Sequence, residues 1–235
     1  MAGKKLRVLQ KSYYDYLDRK ARNLAKIHST KLLLVYIHEL YTCTNIESDF
    51  RNDNFETAYH HPVTSDLEFL IARTVYHYLK RSKSKSDWKV YLRRQVDGVA
   101  PDVRISKNDK TMAIIEIKAK VGWIQPVFSK RAVERDPKNA KAIIKSFKEQ
   151  LEKYQEKFKI KKNQIFVLIP SLKEAHRAEG ILSEYVSNFV NNSGLDKNNL
   201  MLLSENLKLD LDKKIISNSS YKPTKHFEDF IKSLK

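Results

Sequence analysis

Apolar residues along this chain follow two periods, and each change of period marks an element. From residue 4 to 41, Leu6, Leu9, Tyr13, Tyr16, Leu17, Leu24 and Ile27 recur at helical spacing with Lys and Arg between them. Ser29 or Thr30 restarts a second helix through Leu40. From Thr42 to Thr64 the chain turns polar and irregular, which predicts a connection and a soft boundary. Ser65-Asp66-Leu67-Glu68 then has capping-box spacing and opens a helix with Leu67, Leu70, Ile71, Val75, Tyr78 and Leu79 on its apolar face. After a basic linker from Lys80 to Lys89 the period drops to 2: Trp88, Val90 and Leu92 alternate with Lys89, Tyr91 and Arg93.

Asp97-Gly98 predicts a hairpin turn, Pro101 to Ser106 a second strand, Asn108-Asp109 a second turn, and Met112 to Val121 a third strand. Asp136-Pro137 is a cap followed by proline at the first helical position, and Ala140, Ile143, Ile144, Phe147, Leu151, Tyr154 and Phe158 form that helix's buried stripe. Gln164 to Ile169 is continuously apolar, as expected of a central parallel strand covered on both faces. A helix over about 173–192 closing at Asn192-Ser193-Gly194, and a short strand at Leu200 to Leu203, complete the pattern. The fold class is α/β: helix, three-stranded antiparallel meander, helix and strand in a mixed sheet. Residues 1–63 form a helical N-terminal extension, 64–212 the core domain, and 213–235 a polar, loosely packed tail with a docking helix at 226–234.

Composition narrows the function. The 235 residues carry 45 Lys+Arg against 28 Asp+Glu, a net charge of +17, over 41% hydrophobic residues. This much apolar content supports a folded core, and the excess of cations calls for a polyanionic partner, nucleic acid or an anionic membrane. The five glycines are too scattered for a dinucleotide fingerprint or a phosphate loop, and the single cysteine, Cys43, excludes an intrachain disulfide and Cys-rich metal sites. The seven histidines show no metal-ligand spacing. The N-terminus lacks a signal-peptide run and no apolar stretch reaches membrane-spanning length, so the expectation is a soluble, cytoplasmic, DNA-associated protein with no membrane partner.

The third strand carries the chemistry. Its odd positions from Ala113 to Val121 are all apolar, which puts Glu116, Lys118 and Lys120 on the opposite face. Residues two apart stand roughly 7 Å from each other along a strand, too far for an automatic tight salt bridge but near enough to share one bound group. Asp102, on the adjacent strand, is placed to lie opposite Glu116. Two converging carboxylates repel, and their natural counterion is a hard divalent cation such as Mg²⁺, which polarises a phosphoryl oxygen and acidifies a bound water. Lys118 would orient that water or stabilise growing charge.

Pro101-Asp102 followed by Glu116-Ile117-Lys118 resembles the signature of the PD-(D/E)XK (restriction-endonuclease-like) nuclease superfamily, and the order of elements over about residues 64–170 is similar to that family's core. The resemblance implies Mg²⁺-dependent hydrolysis of DNA phosphodiester bonds, with Mn²⁺ substituting, by an endonuclease in preference to an exonuclease. Asp102 and Glu116 would be metal ligands and Lys118 catalytic. Glu68, on the preceding helix, matches an acidic position near the metal in many members. Gln150 and Tyr154 resemble a Gln-X-X-X-Tyr helix motif of exonuclease-like branches, bracing the site or touching substrate backbone. Lys80, Arg81, Lys83, Lys85, Lys89, Arg93 and Arg94 would contact nucleic-acid phosphates. A homodimer is left open, since cutting both strands needs two sites.

Plainer roles stand beside these. Asp102 can cap a turn after proline, Glu116 and Lys118 can form a solvated strand face, Glu68 can complete its capping box, and Gln150 and Tyr154 can be helix packing. Tyr13, Tyr14 and Tyr16 beside Arg19, Lys20 and Arg22 fit helix packing better than base stacking. The rival functions are a non-catalytic nucleic-acid-binding protein on a nuclease-like fold and an RNA-processing nuclease.

Overall fold

Helix α1 (Ala2–Ile27) ends where His28 takes φ 55°, and the Ser29 hydroxyl accepts the Leu32 N–H at 3.2 Å to start α2 (Thr30–Arg51). In this computed structural model, residues 2–51, 63–81, 87–119, 121–173, 181–211, 213 and 215–234 are described, with backbone alone for 2–10 and 43–51. The connection expected from Thr42 onward is instead helical to Arg51, because no glycine or proline interrupts that stretch and poor helix formers such as Thr and Asn slow a helix without stopping it. Residues 52–62 of that connection, His60 and His61 among them, lie outside the described residues, and its last two residues begin the next helix.

Helix α3 (Val63–Arg81) leads into β1 (Trp88–Leu92), β2 (Val103–Lys107) and β3 (Lys110–Ile117), an antiparallel meander. Asp97 and Gly98, and then Asn108 and Asp109, all take positive φ, the conformation that lets a two-residue turn follow the twist of the strands. Three elements come next: α4 (Gln125–Phe128), α5 (Lys130–Arg135) and the long α6 (Pro137–Phe158), where Asp136 caps the Asn139 N–H at 3.2 Å as its sequence predicts. Strand β4 (Ile165–Ile169) runs parallel to β3, α7 (Leu182–Ser193) closes on Gly194 at φ 71°, β5 (Leu200–Leu202) runs parallel to β4, and α8 (His226–Ser233) ends the chain. The result is an α/β fold with an open five-stranded mixed sheet ordered β1-β2-β3-β4-β5.

Strand alternation gives the sheet two buried faces. Ala113, Ile115, Ile117, Val103 and Leu168 pack under α1, α2, α3 and α8, whereas Ile114, Val167, Ile169 and Leu202 pack under α4, α6 and α7. Three boundaries differ from expectation. Strand β3 stops at Ile117, and Val121 joins the face opposite to Ile117, so the odd-position rule ends with the strand. The helices α4 and α5 were not expected: Pro126, Val127 and Phe128 are buried, with Phe128 stacked on Phe189 at 5.4 Å between ring centroids. The docking helix expected at 226–234 is α8, and the segment before it is not loose. Phe227, Phe230 and Ile231, spaced i, i+3, i+4, are buried in the first face, and the Thr224 N–H donates to the Leu203 carbonyl at 3.0 Å. Among the described residues, no helix is long and apolar enough to cross a membrane.

Candidate active site

The site forms where β2 and β3 part. The Val103–Ile115 pairing carries Asp102 and Glu116 to the next cross-strand position, on the α6 side of the sheet. Strand β2 begins only at Val103, so the Ile117 N–H has no strand partner on that side, and Asp102 accepts it through Oδ2 at 2.7 Å. Asp102 therefore does terminate a backbone ladder, though at β3 and not at the turn after Pro101.

Glu116 is 3% exposed and receives three donors. Lys118 Nζ (2.6 Å) and Gln150 Nε2 (2.9 Å) reach Oε1, and the Tyr154 hydroxyl donates to Oε2 at 2.7 Å. Gln150 also donates to the Tyr154 oxygen at 2.7 Å. The separation expected between Glu116 and Lys118 does not hold. Lys118 lies just past the end of β3, its backbone N–H bonded to Leu168, and its long stem folds back onto the carboxylate. The plain strand-face role for this pair gives way as well, because Lys118 is only 7% exposed.

Glu68 lies within α3, which starts upstream at Val63, so it does not complete a capping box at Ser65. It is 1% exposed and ion-pairs with Arg93, whose Nη2 donates to Oε1 at 2.6 Å, while Oε2 lies against Arg93 Nε without a hydrogen bond. Arg93 sits just past β1 at φ 46° with its N–H on the Asp102 carbonyl at 3.0 Å, which links Glu68 to the Asp102 backbone. That role was missed: Arg93 was expected on phosphate. The signal available was a long cation directly after a strand, next to a helix bearing a buried acid.

Electrostatics separates the acids. Burial, then the charges of Glu116 and Glu68, push the Asp102 carboxyl up to about 7, outweighing the Ile117 hydrogen bond and Lys118. Burial, with a contribution from Glu116, raises Glu68 despite Arg93. Burial and the Glu116 charge hold the Tyr154 hydroxyl far above the ordinary phenol range, so it is a firm donor.

The remaining expected phosphate contacts are dispersed. Lys89 is paired with Asp87 (2.9 Å) and Asp109 (2.8 Å), Arg94 lies over Tyr91 at 5.0 Å, Lys80 over Tyr76 at 5.8 Å, and Arg81 is exposed. Lys83, Lys85 and Lys120 lie outside the described residues. Of the α1 tyrosines, Tyr13 places its hydroxyl on Asp66 at 2.6 Å and Tyr14 leans on Phe69 at 4.9 Å, while Tyr14 and Tyr16 keep exposed faces.

Whether these residues suit a divalent cation turns on counting. Three carboxylates (Asp102, Glu116, Glu68) face two cations (Lys118, Arg93). A carboxylate has about four lone-pair sites, of which Glu116 uses three and Asp102 one. Hard oxygen donors in negative excess fit Mg²⁺ or Mn²⁺. Among the described residues, however, no three His, Cys, Asp or Glu side chains form a chelating cluster, so Asp102 and Glu116 would hold an ion chiefly with water, and Glu68, committed to Arg93, contributes charge.

Compared with known proteins, the chain matches no family model, no curated relative and no solved structure.

Proposed function

We propose that this protein is a divalent-cation-dependent nuclease hydrolysing DNA phosphodiester bonds on a restriction-endonuclease-like core, an endonuclease in preference to an exonuclease. The observation that carries this is the adjacency of Asp102 and Glu116 at the β2–β3 fork, with Lys118 Nζ 2.6 Å from Glu116. The order α3, β1–β2–β3, α6, β4 supports the same core. Asp102 and Glu116 hold Mg²⁺, for which Mn²⁺ substitutes. When bound, the ion polarises a phosphoryl oxygen and lowers the pKa of its water. Lys118, buried and pointed at Glu116, donates a hydrogen bond to the attacking water or to charge developing on the phosphate. Gln150 and Tyr154 fix the Glu116 carboxylate against rotation, and Arg93 pairs with Glu68, opposing in part the burial that raises its carboxyl.

The test is cleavage of closed circular and linear DNA with Mg²⁺ or Mn²⁺ and with chelator. Cutting of the closed circle that stops with chelator, and is lost in folded Asp102→Ala and Glu116→Ala, is expected. Wild-type cutting by both variants sinks the proposal. One observation favours a second reading, a non-catalytic nucleic-acid-binding protein: Glu116 is already held by three donors of the chain itself. That reading predicts salt-dependent binding indifferent to metal and to Glu116→Ala. Competition with structured RNA separates DNA from RNA processing.

A further inference from the structure

A cavity of about 300 Å³ opens beside the site, walled by Trp123, Gln125, Arg135, Asn139 and Ile143. Four observations tie it to a ligand. Trp123 is 55% exposed, although large aromatics are ordinarily buried and much of this chain's aromatic surface is packed away. Its ring lies 4.7 Å from Lys118 Nζ, the atom that also contacts Glu116, so a cavity-wall residue touches a site residue. Along α6, Asn139, Ile143, Gln150 and Tyr154 fall within a roughly 60° arc, so cavity and site lie on one flank of the helix. From Ile143 to Gln150 is about 10 Å along the axis, roughly three nucleotide steps of a stacked strand. The rim is polar and planar: Arg135 Nη2 donates to Gln125 Oε1 at 3.1 Å, an amide–guanidinium pair of the kind that meets base edges.

We infer that this cavity is a base-binding subsite that takes an unpaired nucleobase on the Trp123 indole, making single-stranded or locally unpaired DNA the substrate class of the neighbouring site. The inference rests on the nuclease proposal only in taking nucleic acid as ligand. An indole face accepts any base, so the subsite selects for strand state and not for sequence. A base inside intact duplex cannot reach it without leaving the stack, which costs unstacking and unpairing energy. The volume suits one planar ring system at the small end of ligand sites.

Binding of a short thymidine oligonucleotide is measured in chelator, where no cleavage intervenes, against a sealed hairpin duplex. Trp123→Ala is expected to weaken the single strand about tenfold and the duplex by less than about twofold, with Trp123→Phe retaining most affinity. In a Trp88→Phe background, leaving Trp123 as the lone indole, the single strand should quench fluorescence and the hairpin should not. Unchanged single-strand affinity in Trp123→Ala, or equal losses for both ligands, overturns the inference. If Asp102→Ala still cuts while Trp123 governs single-strand binding, the nuclease proposal falls and the subsite stands. If Asp102→Ala abolishes cutting and Trp123→Ala changes no affinity, the reverse holds.

Discussion

Two clusters of charge in this protein each centre on an aspartate among acids and cations, and the two aspartates have opposite electrostatic outcomes. Between α1 and α3, Asp18 receives Arg22 Nε at 2.9 Å, Arg73 Nε at 2.5 Å and His77 Nε2 at 2.8 Å. Burial pushes its carboxyl up, but the hydrogen bonds and charges of Arg73 and His77 outweigh burial and hold it well below the usual carboxylate range. At the β2–β3 fork three acids share two cations, and Asp102 is pushed up to about 7. One cluster is complete without help and clamps two helices. The other crowds more carboxylates than cations into a buried place, an arrangement that costs stability and raises the Asp102 and Glu68 carboxyls.

The sharpest separation between the two is catalytic. On the proposed function, Lys118→Met should slow metal-dependent DNA cleavage by about 10²- to 10⁴-fold at an unchanged fold, while Asp18→Asn leaves the rate per folded molecule alone. A Lys118→Met enzyme as fast as wild type removes the distinction. Next in size, Asp18→Ala should destabilise the fold by about 2–3 kcal/mol in urea unfolding, since Arg73 and His77 lose their shared partner. A midpoint equal to wild type would make that cluster ornamental.

The sign reverses for Asp102. Its folded value, about 7, lies above the ordinary carboxyl value near 3.9, so the native state binds the proton more tightly than the unfolded chain. The stability this adds is fully present below about pH 4 and is lost as pH rises through about 7. Asp102→Asn should therefore be more stable than wild type by on the order of 1–3 kcal/mol at pH 8, the gap closing toward pH 4. The same protonation makes Mg²⁺ compete with a proton, so the ion should raise the melting midpoint more at pH 8 than at pH 6. A pH-independent gap would show that neither burial nor the neighbouring carboxylates raise the Asp102 carboxyl. The smallest effect is the control: Lys145 pairs with Glu149 at 3.7 Å on the exposed side of α6, and Lys145→Ala should cost less than about 0.5 kcal/mol.

Legibility of the fold followed locality. The turns at Asp97-Gly98 and Asn108-Asp109, the Asp136-Pro137 cap and the Gly194 stop are set by neighbouring residues, and each lies where its local chemistry puts it. The short helices α4 and α5 were not legible, because they depend on surfaces supplied by distant elements; α2 runs on to Arg51 because no glycine or proline stops it, and the docking helix expected at 226–234 is α8. At the site, alternation was enough to put Glu116 and Lys118 on one face and to set Asp102 beside them. The ion pair of Arg93 with Glu68, the return of Lys118 onto Glu116 and the approach of Trp123 to Lys118 were not deducible. Each depends on where a long side chain finds space, which residue spacing does not encode.

By itself the sequence determined the periods, the turns, the excess of positive charge and which acids share a strand face, since these follow from side-chain identity and backbone geometry over a few residues. Only the tertiary structure decided which of the acids are compensated. Desolvation and ion pairing depend on what the rest of the chain places within a few ångströms, so Asp18 becomes a clamp and Asp102 an acid raised to near neutral pH from the same carboxylate.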